Sequence, residues 1–168
     1  MGETVYLSLG SNRGDRAFYL QQATEQLSQM AGMSLVAASS IYVSKPIGCA
    51  PECAQFLNQV LKFNCTLQPT QLLDQTERLE RRLGRTVKGD NADRIIDIDI
   101  ILFGDRVVKN TRLEIPHPRL TDRAFVLLPL HEIAPDAKDP RTEALLTELL
   151  ARVGDQPVTP YGGISRDE

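Results

Sequence analysis

The chain has 168 residues, 42% of them apolar and 24% charged, which is enough for one filled core and too short for two ordinary domains. A formal net charge of -3 excludes a general nucleic-acid binder, because phosphate-backbone affinity comes from a surplus of Lys and Arg. No apolar run approaches the roughly 20 residues that span a bilayer, and Tyr6 stands where a myristoylation signal has Ser or Thr, so a cytoplasmic protein without membrane or nucleic-acid partners is expected.

Alternating apolar residues over 4–9 stop at Gly10-Ser11-Asn12, which predicts a strand running into a turn. Ala17, Leu20, Ala23, Leu27 and Met30 keep helical spacing behind a capping Asp15, with Gly32 as the stop. A second strand is read over 35–43, and the Pro- and Gly-punctuated stretch 44–51 is a loop. A third strand over 56–67 puts Phe56, Asn58 and Val60 on one face and Leu57, Gln59 and Leu61 on the other. Pro69-Thr70 opens a helix whose Leu72, Thr76, Leu79 and Leu83 form a stripe ending at Gly84.

The polar stretch 85–93 has almost nothing to bury and is read as a mobile lid. The strand 95–103 follows, with Gly104-Asp105 and Val107-Val108 completing a hairpin. A helix is read from Thr121 to Leu130 and another from Thr142 to Val153, the latter burying Leu145, Leu146, Leu149 and Leu150. Only the tail after Gly154 has the composition of a disordered segment. Cys49, Cys53 and Cys65 lack metal-ligand spacing and are read as reduced thiols, burial being the favoured setting. The element order predicts an α+β, ferredoxin-like antiparallel sheet with helices packed on one face, in a single domain over 1–168.

Within the apolar strand, Asp97 and Asp99 are two apart and so share a face, while Ile96, Ile98 and Ile100 point into the core. Two such anions repel unless a cation sits between them, and hard oxygen ligands on a rigid strand suit Mg²⁺ completed by substrate phosphates. A charged face on a half-exposed strand explains the same pair equally well when it is taken alone. Arg85, Lys88, Arg94, Arg112, His117, Arg119 and Arg123 cluster around the strand in sequence, as a phosphate clamp or as ordinary surface ion pairs.

Taken in order, Gly10-Ser11-Asn12, Ser39-Ser40-Ile41-Tyr42 with Pro46-Ile47-Gly48, Phe56-Leu57-Asn58, Gly84-Arg85, Arg94 before Ile96-Asp97-Ile98-Asp99-Ile100, Ile115-Pro116-His117-Pro118, and Arg123-Ala124-Phe125-Val126 with Pro129-Leu130 closely resemble the 6-hydroxymethyl-7,8-dihydropterin pyrophosphokinase family. The motifs cover about residues 4–136, leaving the C-terminal helix and tail, 142–168, outside them.

The resemblance implies transfer of pyrophosphate from ATP to 6-hydroxymethyl-7,8-dihydropterin, with Asp97 and Asp99 holding two Mg²⁺ ions and Arg85 and Arg94 joining them in catalysis. It places the pterin between Phe56 and Phe125, bonded to Asn58 and to the backbone of Ser44 and Ile47. It assigns Glu77, Glu80, Lys88, Ile100, Arg112, His117 and Arg123 to ATP. A monomer is expected. Many members have Trp-Gly-Pro-Arg where this chain has the shorter Asn91-Ala92-Asp93-Arg94, and the chain has no Trp. A paralogue with altered or no transfer activity and a ferredoxin-like metabolite-sensing module remain as alternative readings.

Overall fold

The computed structural model describes residues 2–45, 55–84 and 95–161. The first half of the chain forms β1 (Glu3–Ser11), α1 (Arg16–Ser28), β2 (Met33–Ala38), β3 (Tyr42–Ser44), β4 (Phe56–Cys65) and α2 (Pro69–Arg82). Then follow β5 (Asp97–Phe103), β6 (Val108–Lys109), β7 (Glu114–Ile115), a 3-10 turn (Leu120–Asp122) and α3 (Ala124–Ile133). The last elements are β8 (Lys138–Asp139), β9 (Ala144–Leu145), α4 (Leu146–Val153) and β10 (Val158–Pro160).

β1 pairs antiparallel with β4 on one side and with the terminal strand β5 on the other. β2 and β3 pair successive stretches of β4, and β10 adds an edge beyond β3. The kernel order is therefore (β2/β3)-β4-β1-β5, the antiparallel arrangement of a ferredoxin-like fold.

Asp15 caps α1 by accepting the Phe18 N–H at 3.2 Å, and the helix buries Leu20, Ala23 and Leu27. Pro69 starts α2, and the Gln71 side chain accepts the Gln68 N–H at 2.8 Å. Both helices bury their apolar stripes against Val5, Leu7, Leu9, Leu57, Leu61, Ile98 and Ile100 on one face of the sheet.

The expectation of helices on one face is corrected here, because α3 and α4 pack on the opposite face against Tyr6, Val60, Ile101 and Leu102. The pairing of β1 with β5 steps from Leu7↔Ile100 to Tyr6↔Leu102, making Ile101 the extra residue of a β-bulge. With Ile101 and Leu102 both in the α3 cluster, that end of the second face is apolar and is covered. At the other end the same face carries Asp97 and Asp99, only half-buried.

Other boundaries also differ from expectation. The strand read over 35–43 is broken into β2 and β3, since the Ser39 hydroxyl accepts the Val60 N–H at 2.9 Å and donates to the Ser40 carbonyl at 2.7 Å. Val108 pairs with Ile115 in a β6–β7 hairpin rather than with β5, because the Gly104 N–H extends the β1 ladder to Thr4 O at 2.7 Å. The helix read from Thr121 is a 3-10 turn followed by α3, and the last helix begins at Leu146 after a β8–β9 hairpin that leaves Leu145 44% exposed. The segment after Gly154 is not disordered through its described part, since β10 pairs Val158–Pro160 with β3. Cys65 is buried at 1% exposure, and burial raises its thiol pKa; Cys49 and Cys53 lie outside the described residues.

Candidate active site

Residues directly opposed in an antiparallel pair share a face, so the registers draw the floor of the site. Gly10 opposes Asp97 on β5 and Asn58 on β4, while Ser8 opposes Asp99 and Val60. Across β4, Tyr42 opposes Asn58 and Ser44 opposes Phe56. One continuous surface thus runs from the acid pair across Gly10 to Asn58, Phe56 and Ser44. A Cβ on Gly10 would lie 3.5 Å from Phe56 Cδ1 and 3.7 Å from Asn58 Oδ1. Glycine therefore leaves the middle of this floor without a side chain.

Asn58 is 2% exposed and donates through Nδ2 to Ser44 Oγ at 2.7 Å and to the Tyr42 carbonyl at 3.4 Å. A carbonyl only accepts, which fixes the amide nitrogen toward β3 and turns Oδ1 toward Gly10. Asn58 thereby presents a preset acceptor to the floor, and Ser44 is tied to it from the neighbouring strand.

Behind the acid pair, Glu80 on α2 is 3% exposed and accepts the Ile98 N–H at 2.6 Å. It lies on the helix side of the sheet, as does the Ile100 side chain at 5% exposure. Neither side chain is brought onto the acidic face. Arg112, from the β6–β7 hairpin, pairs with Asp74 at 2.8 Å and Glu77 at 3.4 Å on α2. These exposed partners join the hairpin to α2 beside the free edge of β5, and the hydrogen bond to Asp74 is the first cause of the raised Arg112 pKa.

The cations meet the acids from the α3 side. The His117 N–H donates to the carbonyl of the bulged residue Ile101 at 3.1 Å, so the bulge supplies the anchor for this loop. His117 Nδ1 accepts the Arg119 N–H at 3.1 Å, leaving Nε2 to carry the proton of the neutral ring. Burial, then the Arg123 charge, push the imidazole down to about 4, with Asp97 opposing. Arg123 is lowered first by burial, and the opposing pull comes chiefly from Asp99. Its guanidinium lies 5.4 Å from the centroid of the half-buried Phe125 ring, and its Nε is buried without a hydrogen-bond partner.

The structure thus brings together Asp97, Asp99, Phe56, Asn58, Ser44, His117, Arg123 and Phe125. Ile47, Arg85, Lys88 and Arg94 lie outside the described residues. Sequence reasoning missed Glu132 on α3, which accepts the Ser40 N–H at 3.1 Å, the Ser40 hydroxyl at 2.9 Å and the Tyr42 hydroxyl at 2.8 Å. Burial first, and then this carboxylate, raise the Tyr42 phenol to about 12. Glu132 ties α3 to the strand carrying Ser44, and no local sequence signal marks a lone helix carboxylate for such a contact.

Fold and face together define a ferredoxin-like α+β protein with two carboxylates, a histidine and a half-buried arginine gathered at one end of a sheet face. Residues 6–135 match the family model described as 7,8-dihydro-6-hydroxymethylpterin-pyrophosphokinase, and the chain belongs to that family. It is 39% identical over 156 residues to the 2-amino-4-hydroxy-6-hydroxymethyldihydropteridine pyrophosphokinase of Bacillus subtilis, covering 93% of each chain. With the enzyme of the same name from Haemophilus influenzae it shares 38% identity over 152 residues, 90% of this chain and 94% of that one. Among solved structures, the wild-type HPPK-DHPS of Plasmodium falciparum with pteroate matches 90% of this chain at a TM-score of 0.72 and 14% identity, a likeness of fold. This chain spans 42% of the length of that solved chain.

Proposed function

We propose that this protein transfers the pyrophosphoryl group of ATP to the hydroxyl of 6-hydroxymethyl-7,8-dihydropterin, giving AMP and the pterin diphosphate in folate biosynthesis. The observation that carries this reading is the single sheet face on which the acid pair and the Asn58–Ser44 recess are separated only by Gly10. The substrate oxygen bonds to the β-phosphorus as the bond from that phosphorus to the α–β bridging oxygen breaks, with release of one proton.

The pterin recess is lined by Phe56, Phe125, Asn58 and Ser44; Ile47, which the family resemblance adds, lies outside the described residues. The rings offer flat apolar area to the heterocycle, and the Asn58 Oδ1 accepts from its N–H edge. Preset donors and acceptors orient the hydroxymethyl arm toward Asp97, lowering the entropic part of the barrier.

Asp97 and Asp99 offer hard oxygen ligands from one face of β5, which suits Mg²⁺. A two-carboxylate site leaves ligand positions for phosphate oxygens and water, as Mg²⁺ prefers. Two ions there would neutralise charge on the triphosphate and on the leaving AMP. Arg123, with an unsatisfied buried Nε, and the Nε2–H of His117 supply donors beside the acids. Arg85, Lys88 and Arg94, which lie outside the described residues, would add cations for the phosphates as the family resemblance implies, while Glu77 and Arg112 flank the nucleotide at the β5 edge. Glu80 and Ile100 serve it through the placement of β5 rather than by side-chain contact.

The test is AMP formation with ATP, the pterin and Mg²⁺ all present or each omitted in turn. AMP only in the complete mixture supports the reading, and AMP without the pterin, or none at all, contradicts it.

A further inference from the structure

We propose that Gln156 is a positioning residue that holds Arg123 and Phe125 in place for transfer, an inference that rests on the function proposed above. Its carboxamide accepts the Ala124 N–H through Oε1 at 3.0 Å and donates to the Asp122 carbonyl through Nε2 at 2.9 Å. In an extended residue, the preceding carbonyl and the following N–H point to the same side. Arg123 is extended, with φ -123 and ψ 104, so the amide pairs with its flanks as a neighbouring strand would. Arg123, the N-cap residue of α3, makes no side-chain cap hydrogen bond, and the cap is supplied from Gln156, over thirty residues away.

Both functional side chains at this end of α3 leave from the clamped backbone. Arg123 feels the charges of Asp99 and Asp97, and its guanidinium stacks over Phe125 at 5.4 Å. Two residues beyond Gln156, Val158 begins β10 and opposes Ser44 on β3. One short segment therefore holds the backbone on both sides of the recess. Glutamine fits this role because only a side-chain amide offers a donor and an acceptor at that span without adding charge beside Arg123.

The experiment compares the wild-type chain with Gln156→Ala and Gln156→Glu, each also made in an Arg123→Ala background, by kcat, KM, thermal midpoint and amide exchange at Ala124. Gln156→Ala should lower kcat/KM about tenfold, the lost placement of one preorganised donor amounting to part of its full contribution. Gln156→Glu, which keeps the acceptor, should fall between it and wild type. In the Arg123→Ala background the same change should alter kcat/KM by clearly less than in wild type, the remainder being the loss through Phe125, since residues acting through one another are non-additive. Ala124 exchange should accelerate in Gln156→Ala whether or not the protein turns over.

An equal loss in both backgrounds, or unchanged Ala124 exchange, would overturn the proposal. Should Gln156→Ala fail to fold, the Gln156→Glu pair decides by the same criteria. A wild-type chain that forms no AMP would sink the function instead, leaving the exchange result to decide the clamp.

Discussion

Glu80 Oε2 accepts the Ile98 N–H at 2.6 Å, from the helix side of the sheet, at the residue that separates Asp97 from Asp99. A buried carboxylate on α2 thereby fixes the strand backbone on which both acids are mounted. The free edge of a terminal strand would otherwise carry an unpaired N–H under the helix.

Replacing Glu80 with Ala leaves that donor buried and unsatisfied, which should cost about 2 kcal/mol of folding stability. Glu80→Gln keeps an acceptor and should cost less. Urea denaturation of both variants checks this, and equal stability for wild type and Glu80→Ala would refute the role of the bond. Turnover should fall in Glu80→Ala beyond the loss of folded protein, because the acid pair shifts with Ile98.

Gly10→Ala probes the floor. A methyl there meets Phe56 at 3.5 Å, ordinary contact, so the fold should tolerate it within about 1 kcal/mol. It occupies the space between Asp97 and Asn58, and pterin affinity measured by fluorescence should drop about tenfold or more, which corresponds to about 1.4 kcal/mol. Unchanged affinity would place the pterin elsewhere.

His117 sets a pH dependence of stability. Its folded pKa is lowered from 6.5 to about 4, so the unfolded chain binds more protons between those values. Stability from the neutral ring is complete above pH 6.5 and is lost as pH falls toward 4. Relative to His117→Asn, the wild-type chain should lose at most about 3 kcal/mol across that window. Denaturation curves at pH 7 and pH 4.5 read the difference, and parallel losses in the two proteins would contradict it.

Much of the site was legible because period-two alternation decides which strand residues share a face. Asp97 and Asp99 separate from Ile98 and Ile100 on that ground, as Phe56 and Asn58 separate from Leu57. Where a run is apolar throughout, alternation carries no information, and the bulge at Ile101 was invisible within Ile100-Ile101-Leu102. That bulge turns two neighbours toward α3, so the two-faced packing was hidden with it.

Pairings made across long stretches of chain were hidden too. The partner of Val108 depends on the reversal at Asn110, whose Oδ1 accepts the Arg112 N–H at 2.9 Å and the Leu113 N–H at 3.0 Å. β10 is three residues long with no apolar alternation, and its partner lies more than a hundred residues earlier. Glu132 and Gln156 act by single tertiary contacts, which composition does not mark. The ordered motifs compensated for some of this, since they placed His117, Arg123 and Phe125 with the acid pair when spacing alone could not.

Asp97→Asn and Asp99→Asn should each lower turnover at least about a hundredfold, the scale on which one preorganised electrostatic group acts. Folded protein with activity lost, read by circular dichroism beside the AMP assay, is the expected pair of results. Near-normal activity in either variant would refute the metal pair.

The most direct test of the central claim is phosphorus NMR of the products formed from ATP and 6-hydroxymethyl-7,8-dihydropterin in the presence of Mg²⁺. The account predicts AMP together with a new pair of coupled signals from a diphosphate on the pterin, in equal amounts. ADP with a single monophosphate signal, or AMP with free pyrophosphate and unaltered pterin, would contradict it.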